Sequence, residues 1–307
     1  MIDNFLTVAE QVTVLFVLMG VGALLRRLRL LDESAMKGIV NLLLLVVTPT
    51  LIIDLFQRQF DPTMLGSLGC AFLIVSLAHV ALIVFSYAGI RHWADGTERV
   101  LRLATVFSNA GFMGVPLELA VLGEVGAFYG IVYIVVFNLF MWSWGLWVMG
   151  GKMKPFAMVV NPGTVGLAIG LPMFFFSVRL PVPLHDPIHY LAALNTPVAM
   201  IVIGYYLAGA NLRAALRMRM CWVSAGVRLL VYPLALTAAL YPFRASLDRT
   251  MVLAVVIAAS APVAAMVSMF AAKFDRDVDV SVGLVSGTTL LSIITMPLVI
   301  AIAMSIF

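Results

Sequence analysis

Ten apolar stretches follow one another along the chain, at about residues 5–25, 36–57, 63–90, 103–122, 127–149, 162–180, 188–210, 222–242, 250–272 and 281–306. A helix of about 20 apolar residues crosses the hydrocarbon of a bilayer. There, no water is present to pair a backbone N–H or C=O, so a spanning segment must satisfy its own backbone, as a helix does. The connecting segments are too short to hold a soluble domain. Only 11% of the 307 residues are charged and 63% are hydrophobic, against about 25% charged in soluble domains. These observations predict an all-α integral membrane protein, with residues 1–307 forming a single membrane domain.

Ten spans divide the loops between two sides. Of the 19 basic residues, 15 fall on one side, and Arg58, Arg179, Arg244 and Arg249 fall on the other. The richer side is expected to face the cytoplasm. Both termini of a chain in the cell (inner) membrane would then lie outside. The basic residues are spread over loops, where topology accounts for them, so nucleic acid is not an expected partner. The segment Met1–Leu6 carries Asp3 and no basic residue, so no cleaved signal peptide is expected. Cys70 and Cys221 fall on opposite faces, which excludes a disulfide between them.

Prolines recur at matching places. Thr48-Pro49 in the second span is echoed by Thr196-Pro197 in the seventh, and Pro116 in the fourth by Pro262 in the ninth. Lys152 to Pro155 and Asn161-Pro162 mark a junction between residues 1–150 and 151–307. Five spans are an odd number, so the second half must enter the membrane from the opposite side. The expectation is two inverted five-helix repeats. Interrupted spans at corresponding places in two halves point to a transporter's binding site.

The fourth span carries Ser108, Asn109, Gly111, Gly114 and Pro116 between Phe107 and Leu117, and the ninth carries Ser260 and Pro262 between Ala258 and Met266. Proline removes a donor and clashes with the preceding turn, and glycine loosens the backbone and admits close neighbours. Helices four and nine are therefore expected to break, at Pro116 and Pro262, and to cross near the midplane. Broken backbone at that depth is tolerated where it is buried in protein or lines a cavity. Half-helix N-termini present free N–H groups and partial positive charge, which suits an anionic group. Asn109 can hold a carboxylate without adding a charge. Ser108 and Ser260 offer hydroxyls, and Asn138 in the fifth span is a further candidate.

These residues resemble the auxin efflux carrier family, which includes bacterial malonate and other dicarboxylate permeases. The resemblance rests on Asn109 to Leu117, Asn161-Pro162, Pro197 with Ile203-Gly204, Pro262 with Ala271 to Lys273, and Ser292 to Pro297. It implies ten helices in two inverted five-helix repeats. Spans one, two, six and seven would form a scaffold, and the others a mobile domain moving like an elevator. It also implies a homodimer, roles for Asn109, Pro116 and Pro262, and malonate or a similar small organic anion as substrate. Met266 departs from the family, which often has a polar residue there.

Several ionisable groups lie within spans. Glu118 could take up a coupled proton, or it could sit hydrated near the outer mouth. His79 is a second proton candidate, against a neutral ring bonded between helices. Arg228 could offset an anion's charge, but its long stem favours snorkelling to the cytoplasmic surface. Glu10 is a weaker candidate. Asp54 and Arg58, four apart, are expected to pair locally, and Asp275, Asp277 and Asp279 to form a solvated loop. His185 and His189 are the one histidine pair at i, i+4, and no metal is expected there. No cofactor is implied, and the coupled ion is a proton or sodium. The chain has no G-x-x-x-x-G-K-[ST] loop for ATP. A secondary transporter is the leading reading, ahead of an intramembrane enzyme using Glu118 and His79, or a passive channel.

Overall fold

The computed structural model describes residues 2–90, 95–151, 162–209 and 219–307. Asn161, His92, Arg91, Lys152, Lys154, Arg213 and Arg217 lie outside them. The regular elements among the described residues are all helices, with no strand among them. Among the described residues seven helices are long and apolar enough to cross a membrane, and Gly163–Phe175 and Arg249–Ser260 are shorter apolar helices. One of the seven, Ala110–Val148, runs for 39 residues, and its backbone turns at Gly123, where φ is 70°. That left-handed conformation is one an L side chain rarely adopts.

The chain opens with α1 (Ile2–Arg27) and α2 (Glu33–Leu42). Asp32 caps α2, accepting from the Ala35 N–H at 2.7 Å, which satisfies one of the donors a helix start leaves free. A π turn, Leu43–Val47, leads into α3 (Thr48–Phe56). The same device recurs at Ala110–Gly114, ahead of Pro116, and at Val227–Val231, ahead of Pro233. Each proline follows its π turn by two residues. The widened turn makes room for a ring that would otherwise strike the carbonyl four residues back.

The first half continues with α4 (Pro62–Gly89), capped by Asp61, then α5 (Asp95–Val106), α6 (Val115–Phe140) and the short α7 (Leu146–Val148). After the junction come α8 (Pro162–Phe175), α9 (Val182–Ala193), α10 (Asn195–Ala208), α11 (Arg219–Gly226) and α12 (Tyr232–Leu240). The chain closes with α13 (Arg249–Ser260), α14 (Ala265–Lys273) and α15 (Val278–Ile306).

Two contacts correct expectations from spacing. Asp54 does not pair with Arg58: its carboxylate lies 3.4 Å from His185 Nε2 and 3.1 Å from His189 Nδ1, tying α3 to α9. Arg58 instead reaches Glu124 at 3.8 Å and lies over the Phe128 ring. Asp277 is no free loop residue. It caps α15 through the Val280 N–H and accepts from the Thr97 hydroxyl at 2.6 Å.

The apolar interior falls into two clusters. The smaller joins α1, α2 and α10 to Met113, Leu117, Ile257, Ala261, Met296 and Ile300. The larger runs through α3 to α8 and on to α13, α14 and α15. Within the first, α1 and α10 cross with backbones in contact: a β-carbon at Gly22 would fall on the Ile201 carbonyl, and one at Gly204 on the Met19 carbonyl. Small residues allow this approach where helices pack without a hydrophobic driving force. Ile2, Leu6, Val14, Val17, Val21 and Leu24 point outward from α1, where a bilayer supplies apolar surroundings.

Candidate functional site

The centre of the molecule is a place where two helices stop and pass each other. Helix α5 ends at Val106, and α13 ends at Ser260. Between α5 and the turn that starts α6, and between α13 and α14, the chain is extended. The two extended pieces pair antiparallel at Ser108 and Val263. The Asn109 N–H donates to the Pro262 carbonyl at 2.7 Å, and the Ala264 N–H donates to the Phe107 carbonyl at 3.0 Å. The Val263 N–H is taken by the Thr288 hydroxyl at 3.1 Å. Buried polar backbone is nearly always paired, and this is how the two breaks meet that demand without water.

The break in the second half falls at Pro262, as expected. The first does not fall at Pro116, which sits in the opening turn of α6. The backbone leaves the helix at Phe107 to Asn109, before any proline. It does so because these residues bond across to Pro262 and Ala264 rather than back along α5. Gly114 is favoured by space, since a β-carbon there would lie a tight 3.3 Å from the Ala258 Cα on α13. Gly111 is not, since the nearest atom would be Ile134 Cδ1 at 3.8 Å.

Asn109 precedes the turn Ala110–Gly114, is nearly buried, and does not use its side chain to cap that turn. Ser108 is fully buried with its hydroxyl unpaired. Ser260 donates to the Ile257 carbonyl at 2.8 Å, and Asn138 to the Ile134 carbonyl at 2.9 Å. Both therefore spend a donor on their own helices. Ala264 before α14 has no capping side chain, so the first N–H groups of that helix lack one.

Arg228 overturns the snorkelling expectation. It is fully buried. Its Nη2 donates to the Ala259 carbonyl at 2.6 Å and its Nε to the Ala261 carbonyl at 3.4 Å. Its guanidinium lies 4.8 Å from the centre of the Tyr232 ring. A cation at a helix C-terminus meets the negative end of the helix dipole, and here it also takes carbonyls that the end of α13 would leave unpaired. Nη1 of the same guanidinium has no partner.

The Tyr232 hydroxyl lies 3.4 Å from that of Tyr133, whose ring is 5.3 Å from the ring of His79. His79 is fully buried and stacks on Phe140. Its Nδ1 lies 2.9 Å from the Val75 carbonyl, within its own helix rather than across to another. A carbonyl only accepts, so Nδ1 carries the hydrogen and Nε2, which is unpaired, is the free ring nitrogen. Glu118 is fully buried, with both oxygens unpaired. It is not at a hydrated mouth. Glu10 is exposed on α1.

Tyr133, Tyr232 and Thr288 were not singled out from sequence. Their one legible signal is a hydroxyl inside an apolar span. A surface recess of about 540 Å³, lined by Arg58, Phe60, Asp61, Met64 and Val125 among others, shares no residue with the crossing. Among the described residues no group of histidine, cysteine or acidic side chains is arranged to hold a metal, and this includes His185 and His189.

The crossing thus gathers a buried cation with a spare donor, a free serine hydroxyl, an asparagine side chain and an uncapped helix start. All of these donate hydrogen bonds, and together they suit a small anion. A chain-wide comparison agrees with a transport role. A family model described as membrane transport protein matches residues 7–159 and 150–300. The chain is also similar to an uncharacterized transporter of Methanothermobacter thermautotrophicus (strain Delta H), 27% identical over 306 residues that cover 96% of this chain and 98% of the relative. Helices that span a membrane, a paired break in two of them and a match along nearly the whole length lead to one conclusion: this chain belongs to the membrane transport protein family, the auxin efflux carriers.

Proposed function

We propose that the chain is a secondary transporter of small organic anions, with malonate or a similar carboxylate as substrate, working by alternating access in an elevator-like motion. The observation that carries this reading is Arg228, a buried cation at the crossing whose Nη1 has no partner. A buried donor left unpaired is costly, and a carboxylate is the ligand whose oxygens would remove that cost.

The proposal includes ten spans in two inverted halves. Three features support it. The run Ala110–Val148 is divided at Gly123. The ninth span is read as α13 and α14 together. The third feature is a repeated contact. Gly22 of α1 abuts Ile201 of α10, and Gly170 of α8 lies 148 residues further on and abuts Phe56 and the Ile52 carbonyl of α3. Pro49 and Pro197 are separated by the same 148 residues. One packing geometry used twice, with the order of partners exchanged, is what an inverted duplication produces. Both termini are placed outside the cytoplasm on the strength of the basic-residue distribution.

The test is a thermal-shift series on the detergent-purified protein with malonate, malate, succinate, lactate and a neutral diamide, followed by uptake into proteoliposomes. A ligand that binds only the native state raises apparent stability. The expected result is a shift with one or more carboxylates, none with the diamide, and accumulation of the unaltered acid. A chemically altered product, or a response to the diamide equal to that of the acids, would overturn the reading.

A further inference from the structure

Among the described residues, Glu118 is the one carboxylate that the fold buries completely and leaves without a partner. It stands one turn beyond Gly114, where the first break presses against α13. Its carboxyl occupies the space that a side chain at Gly130 would fill, because a β-carbon there would fall on Oε2. Gly114 opens the other side, with Oε1 3.7 Å from where its β-carbon would be. Two glycines on α6 and its leading turn therefore make a niche the size of a carboxyl group.

The elements packed on α6 are the turn Ala110–Gly114, the turn Met141–Gly145, α1, α3, α4, α8 and α13. From Thr250 to Ser260, α13 has no titratable side chain, and neither turn has one. Glu10 on α1 is exposed. Asp54 on α3 is engaged by His185 and His189. On α4, His79 bonds to Val75, and Cys70 and Tyr87 make no hydrogen bond to Glu118. Glu124, Tyr129 and Tyr133 on α6 itself do not bond to it either, since both its oxygens are unpaired. Arg228, which faces the crossing from the turn after α11, spends its bonds on Ala259 and Ala261.

An ionised carboxylate in such a place has nothing to offset its lost hydration, and a neutral acid loses far less. A hard metal cation would need several oxygen ligands around it, and among the described residues no group of three or more histidine, cysteine or acidic side chains is gathered to hold one. The niche fits a carboxyl group carrying its own hydrogen.

We infer that Glu118 is a proton-binding site of the transport cycle, taking a proton from water on one side of the membrane and returning it on the other, so that a proton accompanies the anion. On the loading side hydronium loses one O–H bond as the carboxylate gains one, and on the releasing side the carboxyl O–H breaks as a water molecule takes the proton, with no change of oxidation state. In the conformation described here the site is loaded and closed. It discharges when the segment around the crossing moves and water reaches the niche. The inference rests on the transporter reading and adds the coupling ion.

The test has two arms, one of which needs no substrate. Infrared spectra of the purified protein should show the carbonyl stretch of a protonated buried carboxyl, and that band should be missing in Glu118→Gln. If the variant fails to fold, titration of the same band in the unmodified protein decides. A band that survives the substitution, or a spectrum without one, overturns the proton site. In proteoliposomes, an inward proton gradient should raise anion uptake about tenfold in the unmodified protein and not at all in Glu118→Gln, which should still bind the anion. A gradient response retained by Glu118→Gln overturns the coupling role. Failure of every carboxylate to enter counts against the anion reading alone, because the infrared arm is unaffected.

Discussion

Nη2 of Arg228 lies 2.6 Å from the carbonyl oxygen of Ala259, so a cation that begins on one span closes the end of another. The pairing gives Arg228 two duties, holding the break together and offering Nη1 to a ligand. Replacing it by methionine leaves carbonyls of Ala259 and Ala261 unpaired, a loss of about 1–3 kcal/mol. The expected outcome is a lower melting temperature and carboxylate binding weakened about tenfold or more, equivalent to at least about 1.4 kcal/mol. Arg228→Lys keeps the charge and should recover part of the binding. Arg228→Met binding carboxylate as the unmodified protein does would leave Arg228 with the first duty only.

Asn109→Ala removes a side chain that the turn does not use as a cap, while the backbone bond to Pro262 stays. Stability should hardly change, and the thermal shift with carboxylate should vanish. If the shift persists at full size, Asn109 does not touch the ligand.

Pro116→Ala separates the break from the proline. The crossing is built by Phe107, Asn109, Pro262 and Ala264, so it should survive. Restoring an N–H at position 116 lets the turn Ala110–Gly114 tighten toward an ordinary helix. Uptake should fall by less than about tenfold, which is about 1.4 kcal/mol on the barrier, and by less than in Asn109→Ala. Collapse of transport to background would show that the π turn itself is essential.

Gly204→Ala places a β-carbon on the Met19 carbonyl and forces α1 and α10 apart. Overpacking of this kind costs about 1–3 kcal/mol, to be read as a lower melting temperature in detergent. Gly111→Ala, with 3.8 Å to its nearest neighbour, is the matched control and should melt with the unmodified protein.

The membrane class and the existence of two interrupted segments were legible in the sequence. They follow from apolar length and from residues that disfavour helix. The site of the first break was not. Proline marks where an N–H is missing, whereas the break is set by bonds from Phe107 and Asn109 to a segment some 155 residues away. Arg228 misled for a related reason. Its distance from the loop is compatible with snorkelling, and only the folded chain reveals carbonyls waiting at the end of α13. Asp54 and Arg58 show the limit of local spacing, since each found a stronger claim on another helix. Tyr133 and Tyr232 each show only a hydroxyl inside an apolar span, and their pairing is invisible in sequence because it joins two separate spans.

The antiparallel pairing at Ser108 and Val263 makes every rung of the central bridge from one residue before the junction at 150 and one after it. Neither stretch can make those rungs by itself. Expressed as two fragments, the halves should work only when made together in the same cell, and a lesion in one should not be rescued by an extra copy of the other. In genetic terms the stretches before and after residue 150 would form a single unit of function.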